Sequence, residues 1–333
     1  MAASLSDGEG RTRSPATDGK QLVWGRAGSV GRVRRTESIP GVAFGVGAYA
    51  SWGAFPAFFG LLAFASATEV LAQRILWTLV VVLIVLLAVG RLGELRRITA
   101  STWRYAAAAS AAISLNWGVY VYGVISEQVV QCALGYFINP LVTVAFGVII
   151  FRERLAAAQW VALGLGASAV AVLTVDYGRP PLIALTLACS FAVYGLVKKV
   201  IPLDALRGVA AEGLIAAPFA LVFVVVLAVT GQGSFGGSFS DTALLMSTGP
   251  VTLVPLLLFA VAAQRVPLST MGILQYLTPA LQLAWGVAVA GEPMPASRWA
   301  GFALIWAALA VFTVHALVRG RRRIEQVPTD RPL

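Results

Sequence analysis

The chain has 333 residues, of which 58% belong to the AVILMFWYC class and only 12% are charged, with a mean hydropathy of +0.81. Soluble domains carry roughly 25% charged residues, so a water-exposed fold, intrinsic disorder and a small disulfide scaffold are excluded. The net charge of +10 would suit nucleic acid in a soluble protein, but here Lys and Arg occupy short stretches between long apolar runs, which is a pattern of membrane topology.

Residues 1–39 hold Gly, Ser, Thr and Arg and no apolar run of seven, so they read as a disordered basic tail rather than a secretory signal. Beyond Pro40, apolar runs follow one another. A helix of ~20 residues crosses a ~30 Å hydrocarbon core. Ten spans are predicted, at 40–64, 68–90, 105–125, 131–151, 158–177, 180–199, 208–230, 249–264, 268–290 and 297–318, giving an all-α polytopic membrane protein. The weakest is 249–264, which is short and carries Pro250 and Pro255. Residues 319–333 form a second basic tail. With a cytoplasmic N-terminus, all of the 25 Lys and Arg residues except Arg74, Arg179 and Arg298 fall on predicted inside segments. That asymmetry places both termini in the cytoplasm.

An internal repeat organises these spans. Residues 133–175, shifted by 139, overlay 272–314 without a gap. Pro140 meets Pro279, Gly147 meets Gly286, Glu153 meets Glu292 and Trp160 meets Trp299. The offset lays spans four and five over nine and ten, so each unit has five helices: 40–178 and 179–318. Two odd-numbered units in series cross the membrane in opposite senses, which is an inverted repeat. Alternating-access carriers use that arrangement.

The chemistry of other classes is missing from the sequence. The lysines, Lys20, Lys198 and Lys199, lie outside any phosphate-cradling G-x-x-x-x-G-K-[ST] loop. The aspartates are scattered, and the single histidine, His315, has no ligand neighbour in sequence, so neither a metal site nor a cofactor is expected. Cys132 and Cys189 lie within apolar runs.

Polar groups retained in spans are the site candidates, because a charge at mid-bilayer costs at least ~2.5–3.5 kcal/mol. Arg74, in TEVLAQRILWT, reads either as an anion-binding group or as half of a structural ion pair; Glu69 lies five residues earlier, on a poorly matched face. Glu69 and Glu212 are candidates for ion coupling, with helix-locking or snorkelling as the alternative. Asp176, Glu153 and Glu292 lie near interfaces, where capping of helix ends is the simpler role. Deeper clusters combine Asn116, Trp117, Tyr120 and Tyr122 in SLNWGVYVYG, Tyr136, Phe137 and Asn139 in GYFINPL, and Gln275, Tyr276 and Thr278 in LQYLTPAL. Pro140 and Pro279 are the expected helix breaks, since proline removes a helix hydrogen bond and kinks the chain. Paired breaks in two repeats point to a midplane site, with helix packing as the competing role.

The segments GAYASWGAFPAFF, EVLAQRILW, LNWGVYVYGV, LGYFINPLV, SFAVYGLVKK and LQYLTPAL together resemble the RarD subfamily of EamA-type transporters, within the drug/metabolite transporter superfamily, over residues 40–318. The resemblance implies two inverted EamA repeats, a bacterial inner membrane and solute transport, in a subfamily whose name refers to chloramphenicol sensitivity. It carries over no catalytic residue, and no enzyme activity is expected. The expected mechanism is rocking of two bundles about a cavity lined by Arg74, Asn116, Trp117, Tyr136, Asn139, Gln275 and Tyr276. Its expected partners are a small-molecule solute, the lipid bilayer and a second copy of the chain, without nucleic acid. A non-transporting scaffold or sensor is the alternative.

Overall fold

In lipid, a lone chain segment satisfies its backbone N–H and C=O groups only by coiling into a helix. The computed structural model describes residues 39–152 and 155–325, and among them every regular element is helical. The first half contains α1 (Ile39–Gly53), α2 (Phe55–Gly60), α3 (Ala67–Ala88), α4 (Ala100–Ile125), α5 (Val129–Phe151) and α6 (Ala157–Tyr177). The second contains α7 (Leu182–Val200), α8 (Ala205–Thr230), α9 (Phe239–Arg265), α10 (Leu268–Leu274), α11 (Leu277–Ala288) and α12 (Ala296–Glu325). Glu153, the head up to residue 38 and the tail from 326 lie outside the described residues.

Helix ends follow local chemistry. Ser66, Thr99, Asp204 and Ser238 cap α3, α4, α8 and α9, each side chain accepting a hydrogen bond from the backbone N–H three residues on. Gly178 and Gly231 end α6 and α8 in the left-handed conformation, where a Cβ is disfavoured.

Among the described residues, nine helical stretches are long and apolar enough to cross a membrane. The expected ninth span, 268–290, is instead divided into α10 and α11, with Gln275 and Tyr276 in a turn between them. Pro279 supplies the reason: it lacks an N–H for the carbonyl of Gln275, and its ring crowds that group. Pro140 corrects the expectation of a matching break, because α5 runs through it as one helix. A single lost backbone bond is tolerated there because α5 is held along its length by α7 and α11. The eighth span also differs: α9 begins at Phe239, ten residues before the expected 249. Its first turns carry Ser247 and Thr248, whose hydroxyls donate to the carbonyls of Leu244 and Leu245 and so need no water.

Helix packing repeats itself. α1 packs on α9 and α11, and α7 packs on α4 and α5; α3 packs on α9, and α8 on α4. The remaining large contacts join like to like: α3 with α8, α5 with α11, and α6 with α12. Advancing every element by five spans maps this pattern onto itself. The two halves therefore interleave. Glycines set the closest approaches. A Cβ on Gly135 of α5 would lie 2.8 Å from the Ala184 carbonyl oxygen of α7, and one on Gly249 of α9 would lie 2.5 Å from the Trp77 carbonyl oxygen of α3.

The ends of the bundle are tied differently. At one end, the buried Glu69 carboxylate accepts from the N–H groups of Ser234 (2.7 Å) and Phe235 (3.1 Å). Glu292 accepts from the N–H groups of Val129 (2.5 Å) and Val130 (3.1 Å) at the start of α5, where the helix dipole favours an anion. Arg298 pairs with Asp176 at 2.9 Å. At the opposite end of α3 and α8, Arg91, Glu94, Asp204 and Arg207 form a partly exposed network with separations of 2.6–3.3 Å.

Candidate functional site

α3 carries a cation into the centre. Arg74 is 3% exposed. Its Nε donates to Thr252 Oγ1 of α9 at 2.9 Å. Its guanidinium carbon lies 4.1 Å from the Trp117 ring centroid, 5.0 Å from Phe59 and 5.5 Å from Phe55. Among the described residues no carboxylate pairs with Arg74, which removes the ion-pair reading, and Nη1 is buried without a partner. A guanidinium stays protonated at neutral pH. Three aromatic faces contribute roughly 0.5–2 kcal/mol each, yet a buried donor left unmade costs about 1–3 kcal/mol and more when charged. The rings shelter the cation without completing its hydrogen bonds.

Beside it, Asn116 of α4 is 1% exposed and fully engaged. Its Nδ2 donates to the Leu187 carbonyl (3.0 Å) and Ser190 Oγ (3.1 Å) of α7, and its Oδ1 accepts from the Tyr136 hydroxyl (3.2 Å) of α5. Tyr120 links the two groups: its ring contacts Phe55, Phe59 and Tyr136 with centroids 5.9–6.4 Å apart. Its hydroxyl accepts from Gln282 Nε2 of α11 at 3.2 Å. Gln282 also donates to the Trp52 carbonyl, leaving its Oε1 unpartnered. Gln73 Nε2, Thr78 Oγ1 and Asn139 Oδ1 are likewise buried and unpartnered.

The structure thus joins Arg74 with Trp117, and Asn116 with Tyr136, through Tyr120. Asn139 sits one turn beyond Tyr136 on α5. The other two expected lining residues are placed elsewhere: Gln275 is exposed at the α10–α11 break, and Tyr276 packs on the apolar cluster of α5, α6 and α12. Both lie in the turn that precedes Pro279. Sequence reasoning missed Gln282 and Thr252, and it placed Tyr120 in the SLNWGVYVYG cluster without counting it among the lining residues. Thr252 and Gln282 are single uncharged polar residues in apolar runs, and only the fold reveals their convergence.

A small cavity of about 20 Å³ adjoins this cluster, with room for about one water. Trp117, Thr78 and Glu212 are among the residues that line it. Glu212 accepts from Lys198 Nζ at 2.7 Å and from the Tyr194 hydroxyl at 3.3 Å. Ser110, Ser114, Ile75 and Ala216 also border a wider apolar groove of about 420 Å³ between α3, α4 and α8. Glu69 does not reach the cluster; it holds the loop before α9.

No protein-family model matches the chain. Protein RarD of Streptomyces exfoliatus is 48% identical over 289 residues, 86% of this chain and 92% of that protein. The chain belongs to the RarD family. Protein RarD of Escherichia coli K12 is 35% identical, covering 85% of this chain and 96% of its own. The uncharacterized transporter YojE of Bacillus subtilis 168 is 38% identical, covering 84% and 96%. The RarD family is thus a membrane transporter family, and this member is a multi-pass membrane protein. A solved crystal structure superposes with a TM-score of 0.55 at 19% identity, over 84% of this chain and 99% of that one, and so shares its fold.

Proposed function

We propose that the chain is a secondary transporter that moves a small organic solute across a bacterial plasma membrane by alternating access, with both termini cytoplasmic. The observation that carries this reading is the central cluster to which both halves contribute. Arg74, Asn116, Trp117, Tyr120 and Tyr136 come from the first half and Ser190, Thr252 and Gln282 from the second. The self-mapping packing pattern supports two inverted five-helix repeats, 40–178 and 179–318. When such repeats exchange conformations, a site between them opens alternately to each face. The distribution of Lys and Arg supports the orientation.

In this conformation the cluster is closed, so solute entry requires the helices around it to part. Trp117 contacts Arg74 and also lines the cavity bordered by Glu212. Glu212 is the proposed coupling group in place of Glu69, whose carboxylate is occupied by backbone N–H groups at the bundle end. The test is a metabolite flux screen in proteoliposomes. A solute moved by the wild type is expected to move at least about tenfold more slowly in Arg74→Gln, the loss expected for a charged hydrogen bond. Dissipating the pH gradient in the same vesicles tests the coupling. Equal flux in wild type, variant and empty vesicles for every solute would overturn the transport reading.

A further inference from the structure

The cluster also indicates the charge and shape of its ligand. Arg74 is a buried cation without a carboxylate among the described residues, one of its donors is unused, and its faces are flanked by Trp117, Phe55 and Phe59. Buried donors without acceptors mark a place that an acceptor-rich group completes. The guanidinium fork matches a planar carboxylate, and the flanking rings offer apolar contact to whatever carries it.

We propose that the solute is an organic carboxylate with a flat or aromatic body, its carboxylate bound at Arg74 Nη1 and its body against Trp117, Phe55 and Phe59. This inference rests on the transporter reading for its physiological meaning, while the binding itself is measured separately. A neutral solute would leave the charge uncompensated. A cation would be repelled in a low-dielectric interior, where like charges interact strongly. Chloride would satisfy the charge but would leave the rings without a ligand to contact.

The experiment is calorimetric titration of the purified full chain in lipid nanodiscs with benzoate, benzamide, benzylamine and sodium chloride. Benzoate is expected to bind at least about tenfold more tightly than each of the other three. In Arg74→Gln the preference for benzoate over benzamide is expected to fall to about twofold or less, and Arg74→Lys is expected to retain part of it. The wild-type series stands alone if a variant does not fold, which thermal unfolding would reveal. Benzamide or benzylamine binding as tightly as benzoate would overturn the proposal, as would chloride alone binding, or no benzoate binding. Selective benzoate binding without benzoate flux in proteoliposomes would keep the anion site and defeat the transport reading. Flux of another solute without benzoate binding would do the reverse.

Discussion

Three carboxylates of this chain look alike in sequence and have different work. Glu69 holds two backbone N–H groups of the loop before α9, Glu212 pairs with Lys198, and Glu292 caps the start of α5 from the opposite half. Burial pushes the Glu292 carboxyl up to about 7, against the pull of the Val130 and Val129 N–H groups and of Arg298. Between the ordinary value near 4.5 and about 7, the folded chain keeps a proton that the unfolded chain releases. The contribution of this group to stability therefore falls as pH rises through that window. Glu292→Gln is expected to flatten the fall in melting temperature between pH 5 and 8, measured by thermal unfolding in detergent; an unchanged profile would assign the slope to other groups. Arg74 was legible in the sequence because a charge in a long apolar run is costly and conspicuous. Its neighbours Thr252 and Gln282 were not, since one uncharged polar residue is cheap to carry in a helix and its partner lies far along the chain.

At the scale of elements, hydropathy located most helices but misjudged those where backbone chemistry intervenes. The start of α9 was hidden because Ser and Thr lower local hydropathy, while their hydroxyls satisfy themselves on the preceding turn. Pro140 and Pro279 occupy matching repeat positions and have different outcomes: a continuous α5, and a break between α10 and α11. The residue type was visible; the surrounding packing that decides its effect was not. Close packing at glycine is equally a property of pairs. Gly135→Ala and Gly249→Ala place a methyl against backbone atoms of α7 and α3. Each is expected to cost about 1–3 kcal/mol through overpacking, read as a lower midpoint of thermal unfolding than in Gly164→Ala, where the added methyl meets open space.

For the whole molecule, the repeat was legible only over 133–175 and 272–314, where Pro, Gly, Glu and Trp coincide. Elsewhere the relation survives as packing. α3 begins after the Ser66 cap and α8 after the Asp204 cap, and eight residues beyond each cap stand Arg74 and Glu212. One register thus carries a cation in the first half and an anion in the second. Counted from the two caps, the same position holds opposite charges, a difference no shared motif would announce.

The ties at the bundle ends respond differently to ionic strength. Glu69 is 2% exposed, and the Asp176 side chain is 5% exposed, so mobile ions screen their bonds weakly. The Arg91, Glu94, Asp204 and Arg207 side chains are 27–38% exposed, and such pairs weaken as the Debye length shrinks below ~10 Å. Concentrated electrolyte is therefore expected to loosen the Arg91–Asp204 rim and to spare the rim held by Glu69 and Asp176.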